Sequence, residues 1–242
     1  MESTNLVNAS IVSYISFTFL FFVLKFRFFP NTGYFWIVGF LVGSCLLQLG
    51  QNIHLTSLPE FCGATDVKLA IISTVIPWIV IFTVFTLFLM FAPGWLRVFS
   101  NTFGVAAAKA YGLKETLNEI FIKPVQSETD PKMAQLIDNI YTDQMALVIE
   151  LDIEDVIYDA SNNILFPAME KLANMRIIDD AVLKNHEGLK KVHQALLLKE
   201  TVGFFFWFLL IGIFCILVST LSLVSSSCTP KVGSAYDAIF SS

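Results

Sequence analysis

Charge is missing from two long stretches of this sequence. Residues 69–91 and residues 202–224 contain no Asp, Glu, Lys, Arg or His. A bilayer's hydrocarbon core is about 30 Å thick and about 20 helical residues cross it, so each stretch is long enough to span a membrane. Charged residues make up 14% of the chain and hydrophobic residues 55%, which excludes an ordinary soluble domain of this size.

The motifs of common catalytic and metal sites are also missing. The chain has no HExxH, GxSxG, CxxC or glycine-rich phosphate-loop motif, and it has only three histidines. His54 is expected in a lumenal loop, whereas His186 and His193 are predicted to lie on the surface of one helix. Their separation of seven residues is about 10 Å along a helix, too far to share a metal ion. We therefore predict no catalytic, cofactor or metal site, and a protein that is not an enzyme.

Basic clusters that would bind nucleic acid are absent as well. Nine acidic residues and one basic residue lie between residues 128 and 159, so a phosphate backbone would be repelled there. Part of this segment is an acidic run that lacks the glycine and the ligand spacing of an EF-hand, and it is predicted to be a solvated helix face. A basic protein surface is the expected partner, and nucleic acid is not. The run consists of Glu150, Asp152, Glu154, Asp155 and Asp159.

Two shorter apolar blocks precede the first long one and complete a set of four predicted transmembrane helices. The alternative for the first two is a shallow re-entrant hairpin. The predicted fold class is all-α, a multi-span membrane protein with an all-helical soluble domain inserted between spans 3 and 4. The predicted boundaries are residues 1–96 for three spans (7–29, 34–51 and 69–91), 97–200 for the helical domain, 201–225 for the fourth span and 226–242 for a short lumenal tail.

Basic residues near the span ends predict the orientation. Eight of them flank the connections 25–33 and 92–200, but only Lys68 and Lys231 lie on the other side, so the large loop is expected to be cytosolic and the termini lumenal. Cys62 and Cys228 then share the lumenal side, where they either form a disulfide or remain two free thiols. The eight residues are Lys25, Arg27, Arg97, Lys109, Lys184, Lys190, Lys191 and Lys199.

Residues 97–200 show apolar stripes at helical spacing and no convincing alternating strand. These stripes either close a small core or dock on a partner. A last helix, capped by Asp179 or Asp180, is predicted to run into the fourth span, and Pro167 fits the first turn of another helix. The stripes are Ala106, Ala110, Leu113, Leu117 and Phe121; Met133, Leu136, Ile137, Ile140 and Tyr141; Met145, Val148, Ile149, Val156, Ile157 and Ala160; and Leu165, Met169, Leu172 and Ala173.

The predicted spans also lack ionisable side chains clear of their ends, which disfavours a pump or a coupled transporter. Gly39 and Gly43 form a GxxxG pair that serves helix packing, either within one chain or in a homo-oligomer. Pro77 is expected to kink the third span, with Ser73 or Thr74 covering the backbone bond that it loses.

The segment 92–104 has the features of a membrane-exit device. Pro93 and Gly94 are predicted to stop the membrane helix, Trp95 to lie at headgroup depth and Arg97 to meet lipid phosphate. The next helix is predicted to be capped by Ser100, Asn101 or Thr102.

This junction, Pro93-Gly94-Trp95 followed by Phe99-Ser100-Asn101-Thr102-Phe103-Gly104, resembles membrane proteins of large icosahedral nucleocytoplasmic DNA viruses, chloroviruses and iridoviruses among them. The resemblance covers those junction residues alone. It implies a structural minor capsid protein that ties the inner virion membrane, derived from the host endoplasmic reticulum, to other capsid proteins, with the minor capsid proteins as first candidates and the major capsid protein as a further one. The alternatives are a viroporin-like channel or transporter, with Gly39, Gly43 and Pro77 shaping its pore, and a host-reticulum assembly factor that is absent from the virion.

Overall fold

Four long helices dominate the computed structural model, which describes residues 2–29, 35–58, 63, 65–120, 135, 156–158, 164–174 and 183–226. Each is long and apolar enough to cross a membrane, as the sequence predicts. At 1.5 Å per residue even the shortest is about 35 Å long, more than a hydrocarbon core, so the first two are too long for a shallow hairpin. These helices are α1 (Glu2–Phe28), α2 (Phe35–Ser57), α3 (Val67–Phe91) and α8 (His186–Ser225).

Shorter elements lie between α3 and α8. A helix follows α3 after two residues and changes from α to π geometry and back to α, giving three consecutive segments. Among the described residues that come later, a two-stranded antiparallel sheet and one further helix precede α8. The elements are α4 (Gly94–Phe99), π1 (Ser100–Gly104), α5 (Val105–Ala110), α6 (Leu113–Ile120), β1 (Ile157–Tyr158), β2 (Ile164–Leu165) and α7 (Pro167–Asn174).

The chain divides into two compact units. The first comprises Met1–Pro93 and Phe205–Ser242, and the second comprises Gly94–Phe204. Helix α8 supplies residues to both units, and the predicted continuity of the last helix with the fourth span is confirmed. Asn185 caps the N-terminus of this helix. Its side-chain Oδ1 accepts a hydrogen bond of 3.0 Å from the Gly188 amide. The caps predicted at residues 179 and 180 lie outside the described residues.

Helix α2 continues six residues past the predicted end of the second span. His54 therefore lies in the last turns of a helix, and its placement in a loop is wrong. In α3, the hydroxyl of Thr74 donates to the Ala70 carbonyl at 2.7 Å, and the Ser73 hydroxyl has no hydrogen-bond partner among the described residues. Neither hydroxyl therefore replaces the backbone hydrogen bond that Pro77 removes, and this prediction is wrong.

The sheet contradicts the predicted helical stripe through residues 156–160. Ile157 pairs with Leu165 and Tyr158 with Ile164. β-Branched and aromatic residues favour strands, and the intervening sequence Asp-Ala-Ser-Asn-Asn is rich in turn formers, so the hairpin prevails over the helical spacing. The helix predicted to begin at Pro167 is confirmed as α7, with Met169 buried.

The apolar stripe predicted from Ala106 to Leu117 is only half right. Leu113 and Leu117 are buried, but Ala106 and Ala110 are exposed, and Val105 and Ala108 face inward instead. The prediction of this stripe required residues 106–117 to form one straight helix. The chain instead turns at Gly112, whose φ of +97° is a conformation that glycine adopts without strain, so α5 and α6 are separate helices.

Candidate functional site

The membrane-exit junction begins where α3 ends. The amide of Ala92 donates to the Phe88 carbonyl at 2.8 Å, Pro93 follows, and α4 starts at Gly94. Trp95 and Arg97 are exposed on α4. Ala92 and Pro93 thus separate the two helices, and Gly94, which was predicted to stop the membrane helix together with Pro93, is the first residue of α4.

The N-cap predicted at residues 100–102 is wrong, because all three residues lie inside π1. No side chain caps π1, and the hydroxyl of Thr102 donates back to the Val98 carbonyl at 2.6 Å. Ser100 is buried, whereas Asn101 is half-buried. The π turn carries an extra residue per turn and so changes which later side chains face α8. Such turns often mark functional positions in helices.

Two glycines allow π1 to approach α8 closely within the second unit. A Cβ added at Gly104 would overlap the backbone carbonyl of Lys199, and one added at Gly203 would lie 2.8 Å from the Cβ of Ser100. The contacts join residues four apart on each helix in opposite order, so the two helices run antiparallel here. We call this contact the glycine joint, formed by Ser100, Gly104, Lys199 and Gly203.

The two histidines of α8 differ in environment. His186 is exposed, as predicted, but His193 is only 9% exposed, so its predicted surface position is wrong. Burial lowers the pKa of His193, because the charged imidazolium is disfavoured where water is excluded. His193 lies on the same buried face of α8 as Leu189, Val192 and Leu196.

A polar cluster joins three of the four long helices inside the first unit. The side-chain amide of Asn52 in α2 donates to the Thr74 hydroxyl in α3 at 2.7 Å and to the Ser219 hydroxyl in α8 at 2.8 Å. Gln48 donates to the Asn52 carbonyl oxygen at 3.0 Å. All four side chains are at most 2% exposed. Their groups are neutral, so the cluster is suited to holding helices together and not to proton transfer.

Replacing Asn52 by leucine is expected to destabilise the first unit by about 1–3 kcal/mol. The substitution removes three hydrogen bonds. Inside the bundle, the hydroxyl oxygens of Thr74 and Ser219 then lack the amide donor that Asn52 provides. Unfolding of the purified protein in mixed detergent micelles measures the change. His54→Leu alters an exposed polar residue of the same helix and is the matched control. Equal stability of the two variants would show that the cluster contributes nothing.

An aromatic cluster fills the bundle beside the polar cluster. Its six rings come from all four long helices and contact one another at centroid distances such as 5.2 Å for Phe82 and Phe208 and 5.9 Å for Tyr14 and Trp78. The cluster consists of Tyr14, Phe22, Phe40, Trp78, Phe82 and Phe208, all buried.

Tyr14 reaches across the bundle into a notch on α8. Its hydroxyl donates to the Phe208 carbonyl at 2.7 Å, and its ring occupies the place that a side chain at position 212 would take. Gly212 is therefore the residue that makes room for the phenol. The contact fixes α1 against α8 within the first unit.

The predicted helix-packing glycines have different surroundings. A Cβ at Gly43 would lie 2.7 Å from the Phe17 ring, so Gly43 packs α2 on α1 within one chain. Gly39 is exposed, with no atom within 4 Å of its Cβ position. Cys62, Cys228 and the five acidic residues of the run between positions 150 and 159 lie outside the described residues. Within the part of the chain that the structure describes, no group of three His, Cys, Asp or Glu side chains could hold a metal.

The polar cluster and the glycine joint are absent from the sequence predictions. A signal for the cluster exists in α2, where Ser44, Gln48, Asn52 and Thr56 recur every four residues and so share one helix face. The sequence carries a similar signal for the glycine joint, because Ser100 and Gly104 are both small residues. Comparisons with family models, curated proteins and solved structures find no match to this chain.

Proposed function

We propose that this chain is a structural membrane anchor. Its four long helices hold it in a bilayer, and residues 97–200 offer a helix-rich surface to a protein partner outside the lipid. The observation that carries the proposal is α8, a single helix of 40 residues and about 60 Å, twice the thickness of a hydrocarbon core. A helix that belongs to both compact units suits a mechanical link.

The proposed partner is a viral capsid shell, contacted through minor capsid proteins, with the major capsid protein as a further candidate. The junction of residues 93–104, with its resemblance to membrane proteins of large icosahedral DNA viruses, supports this choice. The proposed location is an inner virion membrane derived from the host endoplasmic reticulum. The basic residues flanking the large loop support a cytosolic, capsid-facing side for it.

A channel is a weaker alternative, because side chains fill the bundle interior of the first unit. Trp78, Phe40 and Phe208 are fully buried there. Gly39 faces away from the bundle interior and Gly43 packs against the Phe17 ring, so neither glycine is placed to line a pore. An assembly factor of the endoplasmic reticulum would share the anchor and differ only in being absent from the finished particle.

Mass spectrometry of purified virus particles tests the anchor against the assembly factor. We expect this chain in a fixed ratio to the major capsid protein, and we expect it to resist carbonate washing of the particle membrane. Cross-links from Lys114, Lys184 or Lys190 to a capsid protein would identify the partner. Absence of the chain from particles would contradict the proposal, and so would protease protection of residues 97–200 in microsomes.

A further inference from the structure

The face of α4 and π1 that points away from the glycine joint is apolar and exposed. Trp95 is 59% exposed, Val98 58% and Phe103 48%, although Ser100 and Gly104 on the other side of the same helix are buried. We call the three exposed side chains the apolar face. Large apolar side chains grouped on one side of a short helix mark a surface that binds something.

Two independent observations place the apolar face at membrane depth. Ser100 packs on Gly203, which lies inside the predicted fourth span of residues 201–225. The chain also reaches Gly94 only three residues after Phe91, the end of α3, and three residues span at most about 11 Å. The buried face of π1 and the N-terminal end of α4 are therefore each tied to residues of predicted membrane spans.

We propose that the apolar face is inserted into the phospholipid interface, so that the lipid-contacting surface of the protein extends past Pro93 to Phe103. Tryptophan prefers headgroup depth, where its ring is apolar and its N–H meets water or ester groups. Arg97 lies on the same short helix and is exposed, and its long side chain can carry its charge to the phosphate layer. The occupant proposed is lipid, not protein.

The proposal rests on the assignment of the four long helices to the membrane, and it is independent of any capsid partner. It changes the predicted border at residue 97, because residues 97–103 would then belong to the bilayer interface. The surface available to a protein partner would begin only beyond π1.

Spin labels in lipid nanodiscs test the depth of the apolar face. The full chain, with its four cysteines replaced by alanine, receives single cysteines at Val98, at Lys114 and at Val80, all exposed positions. Collisions with oxygen report lipid, and collisions with a water-soluble nickel chelate report water. The ratio of oxygen to nickel collisions at Val98→Cys is expected to be several-fold higher than at Lys114→Cys and nearer to that at Val80→Cys.

The labels at the three positions distinguish failure of this proposal from failure of the membrane assignment. If Val80→Cys is lipid-exposed but Val98→Cys matches Lys114→Cys, the apolar face lies in water and this proposal is wrong. If Val80→Cys is also water-exposed, the membrane assignment itself fails. Phe103→Cys gives a second reading of the same face where Val98→Cys does not fold, and a nickel-accessible label there overturns the proposal equally.

Discussion

Replacing Gly104 by leucine is expected to break the glycine joint and to destabilise the second unit by about 3 kcal/mol or more. The atom that a side chain would meet is the backbone carbonyl of Lys199, which cannot rotate away as a flexible side chain could. The helices must therefore separate along their whole contact, and Ser100 loses its packing on Gly203. Limited proteolysis of residues 94–204 and thermal unfolding in detergent measure the effect.

The control for this prediction is Gly94→Leu. Gly94 belongs to the same helical segment but has no atom within 4 Å of its Cβ position, so the added side chain has room. Gly203→Leu should resemble Gly104→Leu, because its Cβ would meet Ser100. Near-native proteolysis of Gly104→Leu, or equal damage by Gly94→Leu, would show that close approach at the joint is not what holds these helices.

Replacing Gly212 by valine is expected to have a comparably large effect in the first unit, again about 3 kcal/mol. The new side chain would occupy the place of the Tyr14 ring, which would lose its hydrogen bond to the Phe208 carbonyl and its contact with Trp78. Tyr14→Phe keeps the ring and removes only the hydroxyl, so it should cost about 1 kcal/mol. Unfolding in mixed micelles compares the variants.

A double-mutant cycle shows whether Tyr14 and Gly212 act together. In a Tyr14→Ala background the notch is empty, so the further substitution Gly212→Val should cost far less than it does alone. Gly39→Val is the matched control, because Gly39 is exposed and open. Additive effects of the two substitutions would mean that the valine is harmful for a reason other than its clash with the phenol.

The four helices that are long and apolar enough to cross a membrane were predictable, because bilayer thickness sets a minimum length for a spanning apolar run. The end of α3 was equally readable, since Pro93 cannot continue the helix through a normal hydrogen bond and Phe91 is the last helical residue. The continuity of α8 was predictable because Leu189, Val192 and Leu196 recur at helical spacing shortly before the apolar run of residues 202–224. In each case the signal lies within one segment of the chain.

The features that were not predicted depend on contacts between residues that lie far apart in the sequence. Asn52 looks like the end of a span by hydropathy, yet Thr74 and Ser219 satisfy its amide, so α2 remains helical to Ser57. The small residues at 100 and 104 signal a close helix contact, but they do not identify Lys199 as the residue that Gly104 meets. The hairpin at Ile157 was missed because the residues there recur at helical spacing and show no convincing alternation, whereas pairing with Leu165 makes this segment a strand.

The unbroken course of α8 gives the protein a fixed helical phase from residue 186 to residue 225. Each residue inserted in this helix turns everything beyond it by about 100° and lifts it by 1.5 Å. A single insertion between Phe208 and Gly212 would thus turn Gly212 away from the side of α8 on which the Phe208 carbonyl accepts the Tyr14 hydroxyl. Within the first unit, the spacing of these two residues along α8 therefore tolerates insertions only in steps close to whole helical turns.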